Sequence, residues 1–194
     1  TSVDTLESDT FAVLSDLNHA SQKGLQTIFD CSVGRSTVNH PLGGRYQLTP
    51  TEASVQKLPV QHGVTHTASV MAQGFNPYVA EWSPYHGAAY AVIEATARLV
   101  AAGANWSKAR FSYQEYFERM DKQAERFGQP VAALLGSIEA QIQLGLPSIG
   151  GKDSMSGTFE ELTVPPTLVA FGVTTADSRK VLSPEFKNVG ENIY

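Results

Sequence analysis

A glycine-rich polar stretch at residues 147–157, PSIGGKDSMSG, contains the residue types that bind phosphate. Its two adjacent glycines let the backbone approach a ligand closely and present N–H groups. Lys152 offers a positive charge for phosphate, and Asp153 offers a carboxylate for a hard cation that bridges phosphate oxygens. A polar turn whose side chains cap local backbone groups is the alternative, because turns favour the same composition. The residues alone leave both interpretations open.

The stretch does not fit the Walker A phosphate-binding loop, which requires Gly, four residues and then Gly-Lys-Ser/Thr. When Gly151 and Lys152 are aligned with that pattern, Leu146 stands at the position of the first glycine. Asp153 then stands where the pattern requires a magnesium-binding hydroxyl. The stretch also follows a predicted helix, whereas a P-loop follows a strand. The sequence therefore excludes a P-loop.

Glu94 is the second candidate, because it is an acid within the strongly apolar helical segment 85–102. A buried carboxylate needs a partner to offset its desolvation. Arg98 stands one helical turn later, at the spacing that favours an ion pair. Contact with a metal or ligand is the alternative, and the pattern leaves both open.

Other nucleophiles and metal ligands lack a pattern for chemistry. The five histidines are scattered, and His62 and His66 have no third ligand at metal spacing. Cys31 has no obvious base nearby in sequence, so we expect a buried or neutral thiol. No Ser-His-Asp arrangement can be assembled from the sequence.

Composition limits the functional classes further. The 194 residues are 42% hydrophobic, which is enough for one globular domain. The net charge of -5 and the lack of a basic run argue against nucleic-acid binding. A single cysteine forms no internal disulfide, and neither a signal peptide nor a membrane-spanning segment is predicted. We expect a cytoplasmic protein, and the missing initiator Met suggests a fragment of a longer one.

The elements that must position these residues alternate between strands and helices. Segments rich in small and β-branched residues predict strands at 53–60, 65–75 and 167–174. Helical periodicity predicts helices at 9–23, 85–102, 112–127 and 131–144. Ser8 and Gly24 are expected to bound the first helix, Gly128 to end the third and Pro130 to open the fourth. The stretch 147–157 is then a turn before the last strand of an α+β or α/β domain with a mixed sheet.

Five segments stand in an order typical of one enzyme family: FDCSVGRSTV with PLGGRYQ, GFNPYVAEWSPYHGAAYAVIEATARLVAAGA, ALLGSIEAQIQLGLPSIGGKDSMSG and VPPTLVAFGVTT. Together they closely resemble phosphoribosylformylglycinamidine synthase, the ATP-dependent glutamine amidotransferase of purine biosynthesis. The resemblance runs from about residue 28 to 187, and GGKDSMSG followed by PPTL is its most specific part. The chain resembles the N-terminal half of the second of that enzyme's two aminoimidazole ribonucleotide synthetase-like modules.

The resemblance implies an α+β fold of the PurM N-terminal-domain-like type, with a four-stranded mixed sheet and helices packed on one face. The other sheet face is then available for barrel-like pairing with a second copy of the fold, within the parent enzyme or as a homodimer. The chain divides into a leading helical segment at 1–27, the synthetase N-terminal-like domain at 28–176 and a linker at 177–194. That linker leads toward a missing C-terminal domain.

The resemblance also implies a fragment of the amidoligase that converts formylglycinamide ribonucleotide, glutamine and ATP into formylglycinamidine ribonucleotide. The glutaminase domain of that enzyme is absent, and Cys31 is not equivalent to its nucleophile. We expect the isolated fragment to be inactive, with no catalytic residue and a structural or auxiliary nucleotide-binding role. The alternatives are a sheet-pairing scaffold without a ligand and a stand-alone phosphotransferase of the same superfamily.

The expected cofactors are Mg²⁺ and ATP or ADP, with Glu94 and Asp153 as metal ligands. The expected nucleotide-binding residues follow one another in the glycine-rich stretch: Gly150, Gly151, Lys152, Asp153 and Ser154. Relatives place Asn or Asp where this chain has Arg98, and an acidic ligand near the position of His66. Both differences weaken magnesium affinity, because Mg²⁺ prefers oxygen ligands.

Overall fold

A computed structural model of the chain describes residues 3–28 and 35–192. The helices of this part are α1 (Val3–Ser15), α2 (Lys23–Gln26), α3 (Pro77–Trp82), α4 (Pro84–Ala101) and α5 (Ala124–Leu144). The first strands are β1 (Thr37–Asn39), β2 (Leu42–Gly43), β3 (Thr49–Pro50), β4 (Ala53–Lys57) and β5 (Thr67–Gly74). The remaining strands are β6 (Arg110–Tyr116), β7 (Ser148–Ser154), β8 (Thr158–Phe159), β9 (Leu162–Thr163) and β10 (Thr167–Asp177).

The central sheet has six strands in the order β1-β4-β5-β10-β6-β7. Every neighbouring pair is antiparallel except β6 and β7, which are parallel, so the expected mixed sheet is confirmed. The expected number of four strands is wrong. The strands that the sequence did not predict include the edges β1 and β7, which lack the hydrophobic alternation of a half-buried strand.

One face of the sheet is covered by α4, against which α5 packs in turn, and small residues let α4 approach the sheet closely. Alternate residues of β5 are buried beneath α4: Ala68, Val70, Ala72 and Gly74. A Cβ on Gly74 would lie 2.1 Å from the carbonyl oxygen of Ala91 in α4. Helix α4 begins where Ser83 accepts a hydrogen bond from the His86 N–H, with Pro84 in its first turn. The predicted helix at 85–102 is therefore confirmed.

The predicted helix at 112–127 is wrong, since its first part is strand β6. Buried and less buried residues alternate along β6, with Phe111, Tyr113 and Glu115 on the covered face. Tyr113 and Phe117, which contribute to the helical periodicity of this segment, also fit a period of two with Phe111, and aromatic side chains favour strands. Pairing with β10 and β7 on either side decides in favour of the strand.

Helix α5 begins earlier than predicted and contains both Gly128 and Pro130 in its interior. Arg126 holds its first turn by ion pairs with Glu118 and Asp121, at 3.1 and 2.6 Å. These contacts to the preceding segment stabilise the turn that the glycine and the proline weaken. The predicted end at 144 is confirmed, and Gly145, with a φ of 67°, forms a left-handed C-cap.

The N-terminal helix also differs from its predicted bounds. Ser8 lies inside α1, where its hydroxyl donates to the Thr5 carbonyl at 2.9 Å, and Gly24 lies inside α2. The predicted strands at 53–60, 65–75 and 167–174 are confirmed as β4, β5 and β10 with small shifts in their ends. Cys31 lies outside the described residues. Among those described, no helix has the length and apolar character needed to cross a membrane.

Candidate functional site

The glycine-rich stretch forms edge strand β7 rather than the predicted turn. In its parallel register with β6, Lys152 pairs with Gln114 and Asp153 pairs with Glu115. The Gln114 side chain donates a hydrogen bond to the Lys152 carbonyl at 3.0 Å. Because successive strand residues point to opposite faces, Asp153 lies on the helix-covered face and Lys152 on the other. The structure therefore does not direct these two side chains toward one ligand.

The two glycines of β7 have different roles in the backbone. Gly150 has a φ of 139°, a conformation that side chains rarely permit, and the space around it is open. At Gly151 a Cβ would lie 2.8 Å from the carbonyl oxygen of Tyr113 on β6. Ser154 completes the stretch, with its hydroxyl 3.3 Å from that of Ser156. Strand packing and backbone conformation thus account for both glycines without a ligand.

Two carboxylates, Glu115 and Asp153, face each other across β6 and β7, and we call them the facing carboxylates. Glu115 is only 6% exposed, whereas Asp153 is exposed. Burial, and then the charge of Asp153, raises the pKa of the Glu115 carboxyl. No Lys, Arg or His of residues 3–28 and 35–192 forms an ion pair with either carboxylate. Glu115 was missed in the sequence because it stood in a predicted helix.

Tyr113 adds a third titratable group to this region of the covered face. Its hydroxyl is buried and has no hydrogen-bond partner among the described residues. Burial, and then the charge of Glu115, raises the pKa of the Tyr113 phenol far above its ordinary value. The Tyr113 ring stacks on Phe111 with 6.1 Å between the ring centroids. The local environment therefore favours the neutral form of each buried acid.

The second group of charged residues surrounds Arg98, and we call Glu52, Glu94, Arg98 and the Gln73 carbonyl the arginine cluster. Arg98 bonds to Glu94 at 2.8 Å, to Glu52 at 2.9 Å and to the carbonyl oxygen of Gln73 at 3.1 Å. The second carboxylate oxygen of Glu94 accepts the Phe75 N–H at 2.8 Å. The ion pair between Glu94 and Arg98 is thus present, with Glu52 as a further partner that the sequence did not reveal.

Glu94 and Asp153, the expected metal ligands, are not brought together. The Glu94 carboxylate bonds the backbone just beyond β5, whereas Asp153 lies on β7, three strands away in the sheet. Three strand spacings amount to about 14 Å. Within residues 3–28 and 35–192, no three His, Cys, Asp or Glu side chains are close enough to hold a metal. The residues present therefore do not fit a magnesium ion bound by Glu94 and Asp153.

His66 is also remote from Glu94. It precedes β5, and its carbonyl accepts the Ser178 N–H at 2.7 Å. The Glu94 carboxylate bonds Phe75 at the other end of the same strand. Nine residues of extended chain span about 30 Å, so the two side chains belong to different ends of the sheet.

The sheet face opposite the helices carries both apolar and polar side chains, and we call it the open face. Register and strand alternation place these residues there: Ser54, Met71, Gln73, Ser112, Phe171 and Val173. Met71 and Val173 are directly opposite each other on β5 and β10, and they are 43% and 37% exposed. The centre of the open face is therefore an exposed apolar patch with a polar border.

Helix α5 has a second exposed apolar surface, which we call the outer stripe. Its large side chains recur at helical spacing and are all exposed: Phe127, Val131, Leu134, Leu135, Ile138 and Ile142. The opposite side of α5 packs onto the domain through Ala133, Gly136 and Ala140. A helix that is apolar on two sides usually contacts a further element or protein.

The fold is similar to that of solved structures from Thermotoga maritima. A PurLQS structure matches with a TM-score of 0.69 and 19% identity, over 86% of this chain and 25% of that one. A PurL complexed with ADP matches with a TM-score of 0.67 and 18% identity, over 89% of this chain and 26% of that one. Phosphoribosylformylglycinamidine synthase II matches with a TM-score of 0.60 and 19% identity, over 78% of this chain and 23% of that one.

No protein-family model and no curated protein sequence matches the chain. The chain spans about a quarter of the length of these solved structures. At this level of identity the likeness establishes the fold, and the expected α+β class is confirmed. The chain therefore shares the fold of one part of the PurL structures.

Proposed function

We propose that the chain is one module of an ATP-dependent amidoligase of purine biosynthesis, and that the complete enzyme makes formylglycinamidine ribonucleotide. This proposal rests mainly on the match of 78–89% of this chain to about a quarter of each PurL structure. The ordered motifs of the sequence, GGKDSMSG above all, support the same assignment. In this proposal glutamine is the amide donor, and a separate glutaminase domain supplies the ammonia.

Within that enzyme, the module acts as a structural partner rather than as a catalytic centre. The open face supports this role, because an exposed apolar patch with a polar border is typical of an interface. The proposed partner is a second copy of the same fold, in the parent chain or in a homodimer. The outer stripe of α5 supports a further contact with another part of the parent enzyme.

Activity of the complete protein tests the assignment. The full-length protein that contains this module should convert formylglycinamide ribonucleotide to the amidine with ATP and glutamine. Substrate, ATP and ammonium with the module alone should give no product. Inactivity of the folded full-length protein, in an assay that a known enzyme of this class passes, would contradict the assignment.

Pairing through the open face is tested by Val173→Asp, which places a charge at the centre of the patch. Phe159→Asp is the matched control, because Phe159 is 72% exposed on the separate β8–β9 hairpin. Sedimentation velocity should show that Val173→Asp shifts a dimer to monomer, whereas the control stays dimeric. A module that is already monomeric, with a full-length enzyme unaffected by Val173→Asp, would refute pairing.

A second candidate role is auxiliary binding of ATP or ADP at residues 150–154. The structure of PurL with ADP supports it, since that protein shares the fold. Lys152 is exposed on edge strand β7, where a phosphate can approach it. Equilibrium dialysis with radiolabelled ADP tests this role. Lys152→Ala should abolish the binding of ADP, whereas the control variant Lys108→Ala should bind ADP as the wild type does. Equal retention by both variants would exclude this site.

A further inference from the structure

The guanidinium of Arg98 bonds to oxygen atoms from three separate elements. Its Nε contacts a carboxylate oxygen of Glu52 at 2.9 Å, just before β4. Its Nη2 contacts Glu94 on α4 at 2.8 Å, and its Nη1 donates to the Gln73 carbonyl on β5 at 3.1 Å. Every nitrogen of the guanidinium thus has an oxygen partner. Such convergence holds the start of β4, the end of β5 and the middle of α4 together.

The ligands around Arg98 are those that a hard divalent cation also prefers. Two carboxylates and a backbone carbonyl form the oxygen-only set that Ca²⁺, Mn²⁺ and Mg²⁺ bind in proteins. The cluster borders a shallow cavity of about 200 Å³ whose lining includes Glu52, Gln73, Arg98 and Phe171. Solvent ions can therefore reach these oxygens, since the Glu52 and Glu94 side chains are 48% and 35% exposed.

We propose that Arg98 is the resident cation of a latent divalent-metal site formed by Glu52, Glu94 and the Gln73 carbonyl. The guanidinium neutralises both carboxylates and occupies the position at which their oxygens converge. Since a guanidinium is not deprotonated in proteins, this cation does not leave at any physiological pH. The native site is therefore closed to metals, and its geometry is independent of metal supply.

Glu94 illustrates why the site needs a cation of some kind. One oxygen of its carboxylate is oriented by the Phe75 N–H, and the other points to Arg98. Without the guanidinium, Glu52 and Glu94 would face each other as like charges across a small space. A bound cation would neutralise that repulsion. Loss of Arg98 should therefore create affinity for metal rather than simply remove a contact.

Manganese binding tests the proposal, because bound Mn²⁺ loses the electron paramagnetic resonance signal of the free ion. The Arg98→Ala variant should bind about one Mn²⁺ per chain, at least about tenfold more tightly than the wild type. The double variant R98A/E94Q should lose that gain. Arg110→Ala is the matched control, because the Arg110 side chain bonds to the carbonyls of Lys108 and Ala109 and has no carboxylate partner within residues 3–28 and 35–192.

A second measurement tests the proposal if the Arg98→Ala variant does not fold without metal. Circular dichroism of Arg98→Ala with and without Mn²⁺ should then show recovery of structure that R98A/E94Q does not show. The proposal is overturned if folded Arg98→Ala binds Mn²⁺ no better than the wild type. It is also overturned if the wild type binds Mn²⁺ through Glu94, or if Mn²⁺ fails to recover an unfolded Arg98→Ala. These outcomes do not depend on the amidoligase assignment.

Discussion

Two groups of carboxylates lie at the same end of the sheet, and they differ in whether a cation is bonded to them. The arginine cluster lies at the C-terminal end of β5, and the facing carboxylates lie toward the C-terminal ends of β6 and β7. Glu94 in the first group bonds directly to Arg98, at 2.8 Å. Glu115 in the second faces Asp153 without an ion-pair partner among the described residues.

The difference shows how neighbouring acids are stabilised by unlike means in one sheet. In the arginine cluster a permanent cation forms ion pairs with two partly exposed carboxylates. At the facing carboxylates, burial and like charge instead favour a proton on Glu115. Removal of charge should therefore destabilise the first group and stabilise the second.

The largest effect is expected from Arg98→Ala in metal-free buffer. The variant should lose about 2 kcal/mol of unfolding free energy, because it breaks charged hydrogen bonds and leaves two carboxylates facing each other. Urea unfolding measures this loss, with Arg110→Ala as the control at less than about 1 kcal/mol. Equal losses in the two variants would mean that the arginine cluster is an ordinary surface contact.

Glu115→Gln should change the unfolding free energy in the opposite direction, toward greater stability. At pH 7 the unfolding free energy of the variant should rise by about 1 kcal/mol. This is less than a full desolvation penalty, because Asp153 is exposed and water screens the pair. The folded pKa of Glu115 is raised, so its favourable contribution is complete below the unfolded pKa of about 4.3 and is lost as pH rises through the folded value.

The gain in Glu115→Gln should consequently disappear when unfolding is measured near pH 4. Glu139→Gln is the control, because the Glu139 side chain is exposed on α5 and accepts a hydrogen bond from Gln143, at 2.6 Å. A pH-independent gain would attribute the effect to packing, and a loss at pH 7 would show that Glu115 is stabilised in its ionised form.

Asp153→Asn is expected to have a smaller effect. It removes the like charge but leaves the burial of Glu115, so the pKa of Glu115 should fall toward, but not reach, its ordinary value. Carboxyl-carbon NMR shifts of Glu115 across a pH titration measure this change. An unchanged Glu115 titration would show that the two carboxylates do not interact.

The smallest expected effect is that of salt on the arginine cluster. Raising NaCl from about 0.05 to about 1 M shortens the Debye length, so the stability difference between wild type and Arg98→Ala should shrink by a few tenths of a kcal/mol. Urea unfolding at the two salt concentrations measures it. A difference that grows with salt would contradict an electrostatic cluster.

Local sequence patterns predicted the parts of this molecule whose partners are close in the chain. The four-residue spacing of Glu94 and Arg98 made their ion pair one of two interpretations, and small or β-branched residues predicted β5 and β10. Glu52 could not be placed beside Arg98 in the same way, because the contact joins residues far apart in sequence. Sheet register decides such contacts.

The segments that were assigned wrongly have ambiguous local patterns. Tyr113 and Tyr116 fit a helical stripe, whereas Phe111, Tyr113 and Glu115 fit a strand, and only pairing with β7 and β10 decides between them. The glycine-rich stretch has no hydrophobic alternation, so its role as parallel edge strand β7 was hidden. Glu115 was consequently missed as the neighbour of Asp153.

The most direct test of whether this module is a scaffold, with Arg98 in the place of a metal ion, is thermal unfolding. The melting temperature of the chain is measured as Mg²⁺ and ADP are added. An unchanged melting temperature is expected up to millimolar ADP and Mg²⁺, because Arg98 already bonds Glu94 and because Lys152 and Asp153 point to opposite faces of β7. A saturable rise in melting temperature that requires both Mg²⁺ and ADP, and that Glu94→Gln abolishes, would contradict it.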